Sequence, residues 1–287
     1  MAEANKLDPA EFRDGQRQQW DSAATGWRKW SELIDTAAGK ISERLAELAG
    51  VGAGSRVLDV AAGYGEPALT AARRAGPEGS VVATDISAEM LAYGRERAAS
   101  AGLENIEFVE SDAVSLEFPE GAFDAALSRW GIIFEPDGEA AAAHVRGMLK
   151  PGGRFAISSW GEPDRVPFLA VPMRTAMQAL EVPPPPPETP GPLSRPTPEA
   201  LGGLLEQGGF SEVAVEEAEV SLEWESPEDF TSFVKEIAPP ITSMIDPHPQ
   251  DVQDATWAAI TEAIRERAGG DGPVRLENLV LLAAGRG

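Results

Sequence analysis

Val57-Leu58-Asp59-Val60-Ala61-Ala62-Gly63-Tyr64-Gly65-Glu66-Pro67-Ala68-Leu69 reads as a buried strand that runs through a glycine turn straight into a helix. Apolar residues on both sides of Asp59 suit a strand covered on both faces. Gly63 and Gly65 permit positive φ and close approach of a ligand to the backbone. Pro67 suits the first turn of the following helix, where a missing N–H costs nothing. A junction of this kind is a ligand site, and Gly63-x-Gly65-x-x-Ala68 also satisfies a loose dinucleotide fingerprint.

Outward from this turn, short apolar runs alternate with helical stretches. The pattern predicts strands over 56–61, 80–84, 105–109, 123–128 and 154–159, and helices over 67–75, 88–101 and 139–149. Such alternation specifies an α/β fold, a mainly parallel sheet with helices on both faces and right-handed crossovers. The first fifty residues read as helical, with Ile41, Leu45 and Leu48 at helical spacing and Gly50 placed to end the segment. After the alternating region come Pro183-Pro184-Pro185-Pro186-Pro187, an extended connector or lid segment that forms neither helix nor interior strand. Thr197-Pro198-Glu199 and Ser226-Pro227-Glu228 look like helix starts, and 274–283 is a last apolar strand. These segments divide the chain into an N-terminal helical cap (1–50), a ligand-binding core (51–161) and a remainder (162–287) that completes the sheet with insertions, all within one elaborated domain.

Composition removes much chemistry. With 287 residues and 43% hydrophobic content the chain can bury a large core. It has no cysteine, hence no disulfide, thiolate nucleophile or zinc–thiolate site, and with only His144 and His248 a histidine metal centre is not expected either. A formal charge of −23 repels phosphate backbones, so a small molecule is expected as partner rather than nucleic acid. No apolar run is long enough to span a bilayer and no basic-then-apolar leader follows Met1, so the expectation is a soluble protein of the cytoplasm.

The positions of the acids narrow the ligand. Asp85 ends the second predicted strand and Asp112 follows the third. In an open parallel sheet the ligand lies at the carboxyl ends of the strands near the point where strand order reverses, so both should face the crevice that holds the glycine turn. An acid at Asp85 can accept from two ribose hydroxyls, whether of NAD or of S-adenosylmethionine. NAD also carries a pyrophosphate, which favours helix N–H groups and positive charge. Here the turn is flanked by Asp59 and Glu66 with no nearby lysine or arginine. Those carboxylates suit the ammonium and sulfonium of S-adenosylmethionine better.

Five segments in order resemble a class I S-adenosylmethionine-dependent methyltransferase of the methyltransferase domain 11 or ubiquinone/menaquinone-methyltransferase-like group. They are Val57 through Gly65, Ala83-Thr84-Asp85-Ile86-Ser87-Ala88-Glu89-Met90-Leu91, Ser111-Asp112-Ala113, Phe123-Asp124-Ala125, and Leu149-Lys150-Pro151-Gly152-Gly153-Arg154-Phe155. The resemblance implies a Rossmann-like seven-stranded sheet of order 3-2-1-4-5-7-6 with the last strand antiparallel. It places Gly63 and Gly65 against the methionine moiety of the cofactor, with Asp59 helping to orient that loop. Asp85 would take the ribose hydroxyls, Ile86 and Met90 would pack on adenine, Asp112 would accept from its amino group, and Ala113 would lie beside the ring. Ser128, Arg129 and Trp130 would sit between cofactor and acceptor. Trp20, Trp27 and Trp30 resemble helices that close over the cofactor in this group, and Tyr64 stands where the group commonly has a small or polar residue.

The implied reaction is direct displacement from S-adenosylmethionine to a small aromatic or apolar acceptor, leaving S-adenosylhomocysteine and needing no metal. A quinone-precursor C-methyltransferase is one specific version. An NAD-dependent oxidoreductase and a non-catalytic S-adenosylmethionine-binding regulator remain alternatives. His248, in the loop Asp246-Pro247-His248-Pro249, is the candidate general base if one is used. His144, on a helix expected to pack on the sheet, reads as structural.

Overall fold

The computed structural model describes residues 9–186 and 189–287. Two helices, α1 (Pro9–Lys29) and α2 (Ser31–Leu48), precede the first strand, β1 (Arg56–Val60). Then α3 (Ala68–Ala75), β2 (Ser80–Asp85), α4 (Ala88–Ser100), β3 (Ile106–Glu110), β4 (Phe123–Arg129), α5 (Gly138–Met148) and β5 (Leu149–Trp160) alternate. The rest comprises α6 (Pro167–Ala179), α7 (Pro198–Gln207), β6 (Ser211–Trp224), α8 (Pro227–Ile237), α9 (Pro239–Ile245), α10 (Gln250–Ala268) and β7 (Val274–Arg286). Among the described residues no helix is long and apolar enough to cross a membrane. Of the proline run, Pro187 lies outside the described residues, and so do the first eight residues of the chain.

The seven strands form one sheet of order β3-β2-β1-β4-β5-β7-β6. Every neighbouring pair from β3 to β5 is parallel, and β7 runs antiparallel to both β5 and β6. Strand order reverses between β1, which leads toward β2 and β3, and β4, which leads the other way. Right-handed crossovers place α3 and α4 on one face beside α2, and α5 with α7 on the other. The parallel strands are sealed on both faces: Val57, Leu58, Asp59 and Val60 are all buried, as the continuous apolar run requires.

Local chemistry fixes the helix starts. Ser87, Asp137, Thr197 and Ser226 each accept a backbone N–H three residues on, at Met90, Ala140, Ala200 and Asp229, which satisfies donors a helix leaves open. Pro67 stands one residue outside α3, which begins at Ala68. The strand expected from 154 starts earlier, at Leu149. Lys150-Pro151-Gly152-Gly153 is an irregularity inside it, between the pairs Phe123–Leu149 and Ala125–Arg154. Gly152 there has φ +81°, and Asp124 ties the segment down by accepting from Lys150 Nζ at 2.7 Å and from the Arg56 N–H at 2.9 Å.

Helices α1, α6, α8, α9 and α10 pack against one another across the carboxyl end of the sheet. The α1–α8 contact is made through Gly26: a Cβ built there meets the Glu236 carbonyl oxygen at 2.1 Å. The closeness lets Trp27 Nε1 donate to the Ile237 carbonyl and Trp30 Nε1 donate to Glu236 Oε2. Gly26→Ala should therefore push α1 away from α8 and cost about 1–3 kcal/mol, the usual range for overpacking. Thermal denaturation checks this, and an unchanged melting temperature would contradict so tight a seat.

Candidate active site

One cavity, of about 200 Å³, runs along the carboxyl ends of β1, β2, β4 and β5 beneath the capping helices. Its first half begins at the turn after β1. Ala61 at φ +56° and Gly63 at φ +53° swing the backbone upward, and nothing lies within 4 Å of a Cβ built on Gly63. A side chain there would stand in open space, so left-handed backbone, not crowding, calls for the glycine. Gly65, at φ +108°, faces away from the cavity: a Cβ placed on it meets Leu69 at 3.3 Å and the Gly94 backbone at 3.4 Å, so the glycine lets the loop close onto α4.

The acids at the next strand ends come to the same place. Asp85 Oδ2 accepts from the Gly63 N–H and Oδ1 from the Ser87 N–H, both at 2.8 Å, so the carboxylate ties the glycine turn to the start of α4. Burial pushes Asp85 up to about 6, against the pull of the Ser87 and Gly63 amides. Asp112 accepts from the Val114 and Ser115 amides and from the Ser115 hydroxyl, a side-chain-capped turn that leaves it on the cavity wall. Ile86, Met90 and Ala113 line the wall between these acids, with Arg13, Gln16 and Trp20 of α1 opposite.

Beyond Trp130 the lining becomes apolar: Trp160, Phe168, Met173, Leu222, Phe233 and Ile237 are among its residues. Trp130 stacks on Trp160, centroids 4.3 Å apart and planes 7° from parallel, and Phe168 meets Trp160 edge-on at 4.8 Å. Trp130 has φ +56°, a conformation that costs a non-glycine residue about 1–3 kcal/mol and persists only where the surroundings enforce it. Its Nε1 is buried with no partner among the described residues. An indole held this way stands on the wall between the Arg129 guanidinium, 5.2 Å from its ring, and the stacked ring of Trp160.

Several expected residues lie elsewhere. Asp59 is buried and does not reach the cavity; the Ala68 N–H faces its carboxylate without completing a hydrogen bond, and neither oxygen has a partner among the described residues. Burial raises Asp59 well above the carboxylate range, with Arg129 pulling the other way. Ser128 is also off the wall: its hydroxyl accepts from the Ile132 N–H at 3.0 Å and braces the chain leaving β4. Trp30 packs edge-on against Phe233 and joins the capping helices instead of lining the space. His248, the expected general base, sits in the α9–α10 turn, donates its backbone N–H to the Ile245 carbonyl, and is not among the lining residues. His144 is held by the Leu116 carbonyl at 2.7 Å. No cluster of three metal-ligating side chains occurs among the described residues.

Sequence reasoning missed the polar chain under the glycine turn. Arg129 donates from Nη1 to Ser42 Oγ and from Nη2 to Tyr64 Oη, each at 2.9 Å, and the Tyr64 hydroxyl donates to Asp35 Oδ1 at 2.9 Å. Arg97 completes it, pairing with Asp35 and donating to the Tyr64 carbonyl at 3.1 Å. Burial raises the Tyr64 hydroxyl, which is therefore a neutral donor at physiological pH. Ile34 and Ala38 of α2, Phe134, Glu135 and Pro192 also line the cavity without having been singled out; the helical spacing of α2 was the one available signal for its share.

Residues 57–153 match the model of a methyltransferase domain family. The ubiquinone/menaquinone biosynthesis C-methyltransferase UbiE of Pseudomonas putida is 42% identical over 118 residues, 41% of this chain and 46% of that protein. The protein of the same name from Pseudomonas fluorescens is 36% identical over 144 residues, 50% of this chain and 56% of its own. The chain thus spans about half the length of the curated relatives it matches. Among solved structures, the phosphoethanolamine N-methyltransferase 2 of Haemonchus contortus in complex with S-adenosylhomocysteine has a TM-score of 0.58 at 20% identity, covering 97% of this chain and 60% of that one. The [4+2]-cyclase SpnF has a TM-score of 0.57 at 20% identity, covering 95% and 96%. At that identity both establish shared fold.

Both buried aspartates hold protons more tightly than in the unfolded chain. Each therefore adds stability at low pH that is lost as pH rises through its folded value, about 6 for Asp85 and well above the ordinary 3.8 for Asp59. Asp59→Asn removes one of these losses without stranding a hydrogen-bond donor that needed the carboxylate. The variant's melting temperature should fall less than that of wild type as pH rises above the ordinary carboxylate value of 3.8. Parallel curves for the two proteins would mean that Asp59 does not take up a proton on folding.

Proposed function

We propose that this chain, whose core is a class I S-adenosylmethionine-dependent methyltransferase domain, transfers a methyl group by direct displacement to a small apolar acceptor held beyond Trp130. The carrying observation is the continuity of one cavity from Gly63, Asp85 and Asp112 to the apolar wall of Trp160 and Phe168. The residues fit the cofactor. Asp85 is placed to take ribose hydroxyls, Ile86, Met90 and Ala113 give an apolar bed for a base, and Asp112 offers acceptor oxygens at its edge. Glu66, Asp85, Asp112 and Glu135 make the polar half acidic, which favours a cation and disfavours a pyrophosphate.

When bound, S-adenosylmethionine supplies a methyl carbon already activated by its sulfonium. What the chain must add is alignment and exclusion of water. The stacked Trp130–Trp160 pair and the roof of Trp20 and Trp27 are suited to both tasks. Fixing two reactants in line is worth roughly 7–11 kcal/mol in favourable cases, so no protein base is needed for a nucleophile that arrives unprotonated. An aromatic ring carbon of a quinone precursor is the specific acceptor favoured by the names of the Pseudomonas relatives. The net charge of −23 supports a free small molecule over a nucleic acid.

Asp85→Ala should weaken S-adenosylmethionine binding at least about tenfold, near 1.4 kcal/mol, by calorimetric titration. Unchanged affinity in the folded variant removes the ribose assignment. In wild type the affinity should also decline as pH drops through about 6, where Asp85 gains its proton and one acceptor site is lost. Tighter binding of NADH than of S-adenosylmethionine would overturn the cofactor. Binding without label transfer to any of a wide panel of aromatic acceptors would point to a regulator, or to the kind of chemistry a cyclase performs on this fold.

A further inference from the structure

Arg129 is a buried cation with no carboxylate in direct ion-pair contact among the described residues, Asp35, Glu66 and Asp59 acting on it only from farther off. It is 6% exposed and lines the cavity, yet its hydrogen bonds go only to the neutral oxygens of Ser42 and Tyr64, and its Nε has no partner among the described residues. The nearest acid along the chain of bonds, Asp35, is already engaged by Tyr64 and Arg97. A guanidinium taken out of water costs several kcal/mol unless an opposite charge meets it closely, and a cavity-lining guanidinium with an unpartnered Nε and no ion pair is suited to an anion entering the cavity. The other arginine on the wall, Arg13, is not free in this way: its Nε lies 3.8 Å from Glu135.

The position of Arg129 indicates which anion. Its two anchors belong to α2 and to the glycine turn, at the end of the cavity lined by Ile34 and Ala38, while the apolar acceptor half opens on the far side of Trp130. Every other strand-end charge along the turn is negative and would repel a carboxylate. Resting on the reading of that turn as the S-adenosylmethionine loop, we propose that Arg129, held at a fixed angle by Ser42 and Tyr64, binds the carboxylate of the cofactor's amino-acid end. Guanidinium and carboxylate match as a two-pronged pair, so the same contact discriminates the intact cofactor from adenosine thioethers that lack the group. Tyr64 is then a positioning residue, which accounts for a large side chain in a turn where a small one would fit.

The test titrates wild type and Arg129→Met with S-adenosylhomocysteine and with its decarboxylated analogue, 5′-(3-aminopropylthio)-5′-deoxyadenosine. Wild type should prefer S-adenosylhomocysteine by at least about tenfold, and in the variant the two should agree within about twofold because only the carboxylated ligand loses affinity. Equal binding of both compounds by wild type overturns the proposal without need of a variant. So does a variant that keeps the full preference. If Arg129→Met does not fold, Arg129→Lys retains the charge without the fork and should show an intermediate preference; a preference equal to or above wild type counts against the assignment. Failure of both compounds to bind wild type is a different result, which overturns the methyltransferase reading beneath the proposal.

Discussion

Everything in this molecule hangs on the reversal of strand order between β1 and β4. Two adjacent parallel strands whose crossovers leave in opposite directions cannot both be covered at their carboxyl ends, so a crevice opens there. The backbone has to make two sharp departures in little space. Ala61 and Trp130 both enter the left-handed region, and a Cβ on Gly131 would stand 2.4 Å from that of Ala61. Strain of about 1–3 kcal/mol at each non-glycine residue is tolerable because the strands beneath are sealed on both faces and hold the departures in place.

The crevice divides electrically as well as in space. Of the carboxylates on its wall, burial holds Asp85 and Glu135 above their usual range. The Arg129 guanidinium stands near them, fixed by neutral hydroxyls, while Arg13 faces Glu135. The far end has almost no polar atom to offer. Charge sorted in this manner costs stability in the empty protein, and that cost is recovered as affinity for a molecule carrying the complementary pattern.

How much was readable in the sequence follows from how local each signal is. The strand–glycine–helix junction, the acids at strand ends and the Ser/Thr caps are short-range features, and the structure places them as the periodicity and turn chemistry require. The sheet order came by resemblance, and β1 to β5 follow the apolar runs to within a few residues. The strand expected from Arg154 begins earlier, at Leu149, because the pairing of Leu149 with Phe123 across the Lys150–Gly153 irregularity depends on the neighbouring strand. The chain Ser42–Arg129–Tyr64–Asp35 was invisible for the same reason: Arg129 and Ser42 are 87 residues apart, and only packing of α2 under the glycine turn joins them. The placement of His248 off the cavity wall was not legible either, because nothing in the sequence between its flanking prolines tells which way the loop faces.

The cavity draws unevenly on the chain. Glu66, Asp85, Asp112 and Glu135 all lie within the stretch that matches the family model, which ends at Gly153. The apolar wall is assembled from Trp160, Phe168, Met173, Leu222, Phe233 and Ile237, all later in the chain and spread over four elements. Substitutions in those late helices and strands would therefore reshape the apolar wall while leaving the acids at the strand ends where they are.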